Sequence, residues 1–156
     1  MHRARLLLAV VLVACSATPV ALAATRSGGP GRDEIRGTAG ADRILGRGGP
    51  DRLFGRGGGD VVLGGSGDDL VAGDAGDDTL NGGAGADTIL GGGGGDRIRA
   101  TSFDGARDIV LAGAGNDVVE ARDGARDTIT CGPGFDTVRA DVGDAVAGDC
   151  ERVRRG

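Results

Sequence analysis

Aspartate recurs at every ninth residue from Asp33 to Asp96, at Asp33, Asp42, Asp51, Asp60, Asp69, Asp78, Asp87 and Asp96. Carboxylates at a fixed interval become a rank of ligands for a hard cation if the chain between them stacks its copies. The spacing belongs to eight contiguous nonapeptides, GGPGRDEIR, GTAGADRIL, GRGGPDRLF, GRGGGDVVL, GGSGDDLVA, GDAGDDTLN, GGAGADTIL and GGGGGDRIR, running from Gly28 to Arg99. Positions one and four are always glycine, six is aspartate and eight is Ile, Leu or Val. Eight aspartates falling in register by chance has a probability on the order of 10⁻⁷. Glycine takes φ > 0 without steric cost and lets backbone carbonyls crowd one point. Carbonyls converging beside a carboxylate make an all-oxygen nest, the donor set of Ca²⁺, which takes about six to eight oxygens at ~2.3–2.6 Å. Zinc or copper would want nitrogen or sulfur, yet the only histidine is His2 and no methionine follows Met1.

The elements that must position these acids follow from the aliphatic at position eight: Ile35, Ile44, Leu53, Val62, Val71, Leu80, Ile89 and Ile98. Each block reads as a six-residue turn followed by a three-residue strand x-U-x. Alternation along that strand points only the middle side chain inward. One apolar tooth holds no fold. Coils of two blocks, about eighteen residues, bring the teeth of opposite strands into a thin two-layer core and pair each strand with the coil above at about 4.8 Å. Without cations the aspartates would repel along two lines of like charge, so folding is expected to be coupled to calcium.

These blocks resemble the RTX repeat GGxGxDxUx of the calcium-binding parallel β-roll. The resemblance implies an all-β fold, a right-handed β-solenoid with two nonapeptides per coil, and ions held between turns i and i+2 by two aspartates and turn carbonyls. Carried onto this chain, it pairs Asp33 with Asp51, Asp42 with Asp60, Asp51 with Asp69, Asp60 with Asp78, Asp69 with Asp87 and Asp78 with Asp96, a ceiling of about six Ca²⁺ ions. Thr38, Arg47, Arg56 and Asp74 depart from glycine at position two, which weakens the early sites; the tightest are expected between Asp60 and Asp96.

The start of the chain carries Arg3 and Arg5, an apolar run from Leu6 to Ala14 and then Ala21-Leu22-Ala23. This reads as a secretory signal peptide over residues 1–24, cleaved after Ala23 or Ala24. Leu12-Val13-Ala14-Cys15 also resembles the bacterial lipoprotein signal, which would put a lipid on Cys15 and keep the protein at the membrane's outer face. Either route leads out of the cytosol, where calcium is abundant and extracellular modules bind at about 10⁻⁴ to 10⁻³ M. Net charge is −5 and every base of the repeats is arginine, with Arg26, Arg32, Arg36, Arg43, Arg47, Arg52 and Arg56 gathered early. They read as a solvated face, or as a patch for an anionic wall polymer or polysaccharide. Phe54, Phe103 and Phe135 are the only aromatics, which argues against base stacking on nucleic acid. The expected form is a monomer.

After the regular repeats of 25–99 the register breaks at Ala100-Thr101-Ser102, and degenerate blocks over 100–139 continue the solenoid: FDGARDIVL, AGAGNDVVE, RDGARDTIT and CGPGFDTVR. Asp108, Asp117, Asp127 and Asp136 stand at position six, and Asp117 and Asp136 are the better metal candidates because Gly115 and Gly134 precede them. Residues 140–156 form a C-terminal cap and tail. Cys131 and Cys150 are the thiols outside the leader, and in an exported chain they are expected to pair as a staple for the last coil; their wide spacing does not suit a redox pair. The segment from Cys131 to Val153 also resembles the terminal cap of small secreted RTX proteins of actinobacteria.

An enzyme is disfavoured. Beyond the leader there is no histidine, and the chain has no lysine, tyrosine or tryptophan. No carboxylate pair stands out for acid/base work once the repeat has claimed the acids. A calcium-binding module with a structural, adhesive or surface role is the leading reading, and a disordered Gly/Asp-rich linker is the rival. A linker has no need of an aliphatic at every ninth residue.

Overall fold

The computed structural model describes residues 23–156; most of the leader, including Cys15, lies outside the described residues. Fifteen strands follow one another: β1 (Thr25–Ser27), β2 (Glu34–Arg36), β3 (Arg43–Gly48), β4 (Arg52–Gly57), β5 (Val61–Ser66), β6 (Leu70–Ala75), β7 (Thr79–Ala84), β8 (Thr88–Gly93), β9 (Arg97–Arg99), β10 (Ile109–Ala114), β11 (Val118–Ala121), β12 (Thr128–Thr130), β13 (Thr137–Ala140), β14 (Ala145–Val146) and β15 (Arg152–Arg155). Odd strands form one eight-stranded sheet and even strands a seven-stranded one, so the chain alternates between two faces as it winds. Every pairing is parallel, with Ile44 beside Val62 and Leu53 beside Val71. Two nonapeptides make one coil of an all-β parallel β-roll.

The core is the expected file of single teeth. Ile44, Leu53, Val62, Val71, Leu80, Ile89 and Ile98 are buried, and Val110, Val119, Ile129 and Val138 extend the file. At about 25 cal/mol per Å² of apolar area, each tooth contributes roughly 2 kcal/mol. Strand length departs from expectation. Strands in the body of the roll hold six residues, as in Arg43–Gly48, instead of three. The inward positions of that stretch are Asp42, Ile44 and Gly46, all buried. Position one continues the pleat inward with no side chain, so pairing resumes at Arg47 with Gly65 and Gly48 with Ser66, and the turn shrinks to Gly49-Pro50-Asp51.

The solenoid continues across the register break. Ala100-Thr101-Ser102 do not separate two stacks, because β7, β9 and β11 pair without interruption. Ala100 donates its N–H to Glu120 O at 2.9 Å and takes the place of a first glycine. The extra residues swell one turn, with Phe103 almost fully exposed at its tip.

Alternation of blocks between sheets also divides the early arginines. Arg26 and Arg43 lie on one sheet, and Arg36 and Arg52 on the other. They form no single patch. At the far end, Cys131 and Cys150 are joined by a disulfide with Cα atoms 5.3 Å apart, and β15 presents Arg152, Arg154 and Arg155 along an exposed edge. Charged edge side chains oppose the addition of a further strand from another chain.

Candidate metal centre

Every position-six aspartate points inward at the rim of the core, and from Asp42 to Asp136 each is buried. The burial is organised by one hydrogen bond repeated up the roll, in which the backbone N–H of one aspartate donates to Oδ1 of the aspartate one coil on. Asp33 donates to Asp51 at 2.7 Å, Asp42 to Asp60 at 2.6 Å and Asp51 to Asp69 at 2.8 Å. Asp60 donates to Asp78 at 2.6 Å, Asp69 to Asp87 at 2.9 Å and Asp78 to Asp96 at 2.9 Å. These are the six pairs that the repeat period brings together. The ladder then continues from Asp87 to Asp108 and from Asp96 to Asp117, both at 2.8 Å. It ends at Asp127 with Asp144 and at Asp136 with Glu151.

The second carboxylate oxygen tells where a cation fits. Oδ2 of Asp51, Asp60, Asp69, Asp78, Asp87, Asp96, Asp108, Asp117, Asp127 and Asp136 is buried with no hydrogen-bond partner. An unpartnered buried carboxylate oxygen costs several kcal/mol unless a cation faces it. Beside each of these in the regular blocks lies a first glycine whose missing Cβ leaves a cradle. A Cβ on Gly55 would stand 2.7 Å from Gly73 O and closer still to Asp60 Oδ2. Carboxylate and carbonyl oxygens thus converge on one point, with no donor between them. That donor set fits Ca²⁺.

Asp33 and Asp42 differ. The N–H of Gly29 donates to Asp33 Oδ2 at 2.6 Å, and Thr38 N–H donates to Asp42 Oδ2. In the next blocks position two is left-handed, with φ 82° at Arg47, 83° at Arg56 and 72° at Asp74. The carboxylates of those blocks, Asp51, Asp60 and Asp78, are among the unpartnered ones. Within the regular repeats the backbone conformation at position two therefore separates satisfied carboxylates from free ones, a distinction that residue type alone did not reveal, since Arg47 and Arg56 adopt the glycine-like conformation and Gly29 does not.

The electrostatics agree with this division. Burial raises the Asp42 carboxyl, but hydrogen bonds from Thr38 and Ala24 outweigh it and hold the group below its ordinary range. Burial, opposed in part by the Asp51 N–H and reinforced by the Asp51 and Asp68 charges, pushes Asp69 up to about 6. Asp78 is likewise pushed to about 6, and Asp87 and Asp96 to about 7. Burial is the largest cause in each case, with neighbouring aspartates adding repulsion.

In the degenerate segment the ladder passes equally through Asp108, Asp117, Asp127 and Asp136. All four are buried with Oδ2 free. Asp108 and Asp127 were not singled out in the sequence because their blocks lack a glycine at position four; the signal that finds them is the inward alternation Asp108, Val110 and Asp127, Ile129. Ala112 and Cys131 occupy the first-glycine register in the blocks of Asp117 and Asp136, so a side chain stands where the regular cradle is open.

The family model of the RTX calcium-binding nonapeptide repeat, four copies long, matches residues 27–62, 63–98 and 104–138. None of the curated proteins compared with the chain matches it.

Proposed function

This chain belongs to the family of RTX calcium-binding nonapeptide repeats, and from that premise we propose that it is an exported structural module whose roll is completed by calcium. The observation that carries the reading is the run of buried, unpartnered Oδ2 atoms from Asp51 to Asp136. Asp51, Asp60, Asp69, Asp78, Asp87 and Asp96, with turn carbonyls such as Gly73 O, are the residues that would hold the ions, about six at most. Asp33 and Asp42 contribute the first rungs, and Asp117 and Asp136 would offer further sites through their free Oδ2 atoms, weaker ones because Ala112 and Cys131 replace the first glycine there. Bound Ca²⁺ would supply the positive charge that two stacked carboxylates otherwise lack. The residues themselves align the coils, exclude water from the rim of the core and set the spacing of the rungs.

Export through the leader, by cleavage near Ala23 or lipidation at Cys15, would deliver a loosely folded chain into millimolar calcium, where ligand binding stabilises the folded state. The role supported there is mechanical, a stable surface, matrix or adhesive element. A polysaccharide partner has less support, because the early arginines are divided between two sheets.

The test is calorimetric titration of Ca²⁺ into the mature chain, followed in parallel by circular dichroism after EGTA. Saturable binding of several ions with a gain of β signal is expected. No heat, with an unchanged spectrum, would overturn the proposal.

A further inference from the structure

The two enlarged turns of the degenerate segment share the pentapeptide Asp-Gly-Ala-Arg-Asp, as Asp104–Asp108 and Asp123–Asp127. They stack one coil apart, with Ile109 paired to Thr128. One carboxylate oxygen each from Asp108, Asp123 and Asp127 lies within 4.8 Å of the others. Two of the three side chains are almost wholly removed from solvent, Asp108 and Asp127 at 1% exposure each. Their Oδ1 atoms are engaged by the N–H groups of Asp87 and Asp108, both at 2.9 Å or less, while Oδ2 of each is buried and unpartnered. Asp123 comes from the turn itself. Its Oδ2 accepts from Ser102 N–H and its Oδ1 from Ala125 N–H, both at 2.9 Å, which holds the carboxylate against the same coil that Asp127 reaches.

No base neutralises this group. Among the described residues the ion pairs are Arg36 with Glu34 and Arg139 with Glu120, and neither involves these acids. Nor is this the donor set of the regular turns. Ala100 and Ala121, both fully buried, hold the register of the first glycine, so methyl groups fill the open cradle. A third carboxylate is added by Asp123 at position two of its block, where the regular blocks carry glycine, arginine, Thr38 or Asp74; unlike that of Asp74, the Asp123 carboxylate gathers with two others.

We propose that Asp108, Asp123 and Asp127 form a second kind of cation site in this chain, a three-carboxylate pocket for a hard divalent ion, Ca²⁺ in the exported setting. Three carboxylates bring at least one oxygen each to a common point with an excess of negative charge, a set that favours Ca²⁺ over softer metals. It uses Asp123, which the regular ladder does not, and it stands whether or not the regular turns bind.

The experiment is Ca²⁺ titration of the mature chain, comparing the unsubstituted protein with Asp123→Asn, Asp123→Ser and, as an acid removed elsewhere, Asp68→Asn. Asparagine keeps the shape of the side chain and one acceptor oxygen while removing the charge, and serine removes the carboxylate altogether while leaving a single short acceptor for the turn's N–H groups. Both Asp123 variants are expected to bind one ion fewer with an unchanged β spectrum, and Asp68→Asn to bind the full number. An unchanged stoichiometry and isotherm in both Asp123 variants overturns the site. Should those variants fail to fold, the unsubstituted chain still decides it, because its Ser102, Asp108 and Ala125 amides are expected to shift in an ¹⁵N NMR titration; amides that stay fixed to millimolar Ca²⁺ overturn it. Shifts along Asp51 to Asp96 without shifts here refute this site and leave the calcium roll standing; shifts here alone refute the roll's regular sites instead.

Discussion

Replacing Asp78 by asparagine should change the sign of its effect on stability according to whether calcium is present. Asp78 Oδ1 accepts the Asp60 N–H at 2.6 Å, while Oδ2 is buried with no donor. A Cβ on Gly73 would stand 2.7 Å from Gly91 O and closer still to Asp78 Oδ2, so two acceptors share that cradle. Burial, with the charges of Asp60, Asp74 and Asp77, pushes the carboxyl up to about 6. Relative to an unfolded value near 4, that corresponds to about 3 kcal/mol of penalty on the charged form, and relaxation of the turn around the charge reduces it to about 1–1.5 kcal/mol. Asparagine removes the penalty and offers an N–H to Gly91 O. Asp78→Asn should therefore stabilise the EGTA-treated protein by about 1 kcal/mol, a rise of roughly 3–6 °C in Tm. In millimolar Ca²⁺ the variant loses a charged ligand and should be less stable than the parent, with a calcium midpoint about tenfold higher. Thermal and urea unfolding by circular dichroism in the two buffers read both signs. Destabilisation of equal size in both buffers would refute the reasoning, because the carboxylate would then act only as a hydrogen-bond acceptor.

Other outcomes follow from the same geometry. With calcium removed, the raised carboxyls of Asp69, Asp78, Asp87, Asp96 and Asp127 bind protons more tightly folded than unfolded. Their contribution is therefore complete below about pH 4 and lost as pH rises through about 6 to 7. Urea midpoints in EGTA should fall between pH 5 and pH 8, whereas in saturating Ca²⁺, whose ligands must be ionised, the trend should flatten or reverse. Arg56→Gly relieves a left-handed φ of 83°; about 1–2 kcal/mol of strain less the extra entropy of unfolded glycine leaves a gain of about 0.5–1 kcal/mol, measured by urea unfolding. Substituting both Cys131 and Cys150 by serine opens a loop with a sequence separation of 19 and should cost about 3 kcal/mol. Hydrogen exchange should place that loss in β14 and β15 and leave the amides of Asp51 to Asp96 protected as before.

How much of this was legible beforehand depends on how far apart the partners lie. The nonapeptide period fixed the aliphatic teeth, the two-block coil and the pairing of Asp60 with Asp78, because each block is a local pattern and identical blocks can stack only in register. The pairing of Cys131 with Cys150 was legible for a similar reason, as the cysteines left for an exported end coil. The six-residue strands were not, because a glycine at position one looks like a turn residue until its inward face is seen to be shared by a carboxylate and the next coil's carbonyl.

The chain's own order of residues determined that it would be a stack of oxygen-lined turns around a file of single aliphatic side chains. Only the folded arrangement decided which carboxylates keep a free oxygen, leaving Asp51 open and Asp42 closed, and only it carried the ladder through the swollen turn to Asp108 and brought Asp123 beside Asp127. The physical reason is that a carboxylate's partners lie a whole coil away. Its hydrogen bonds, burial and charge are properties of the stack, and a local period cannot record how each turn's N–H groups are aimed once the coils close on one another.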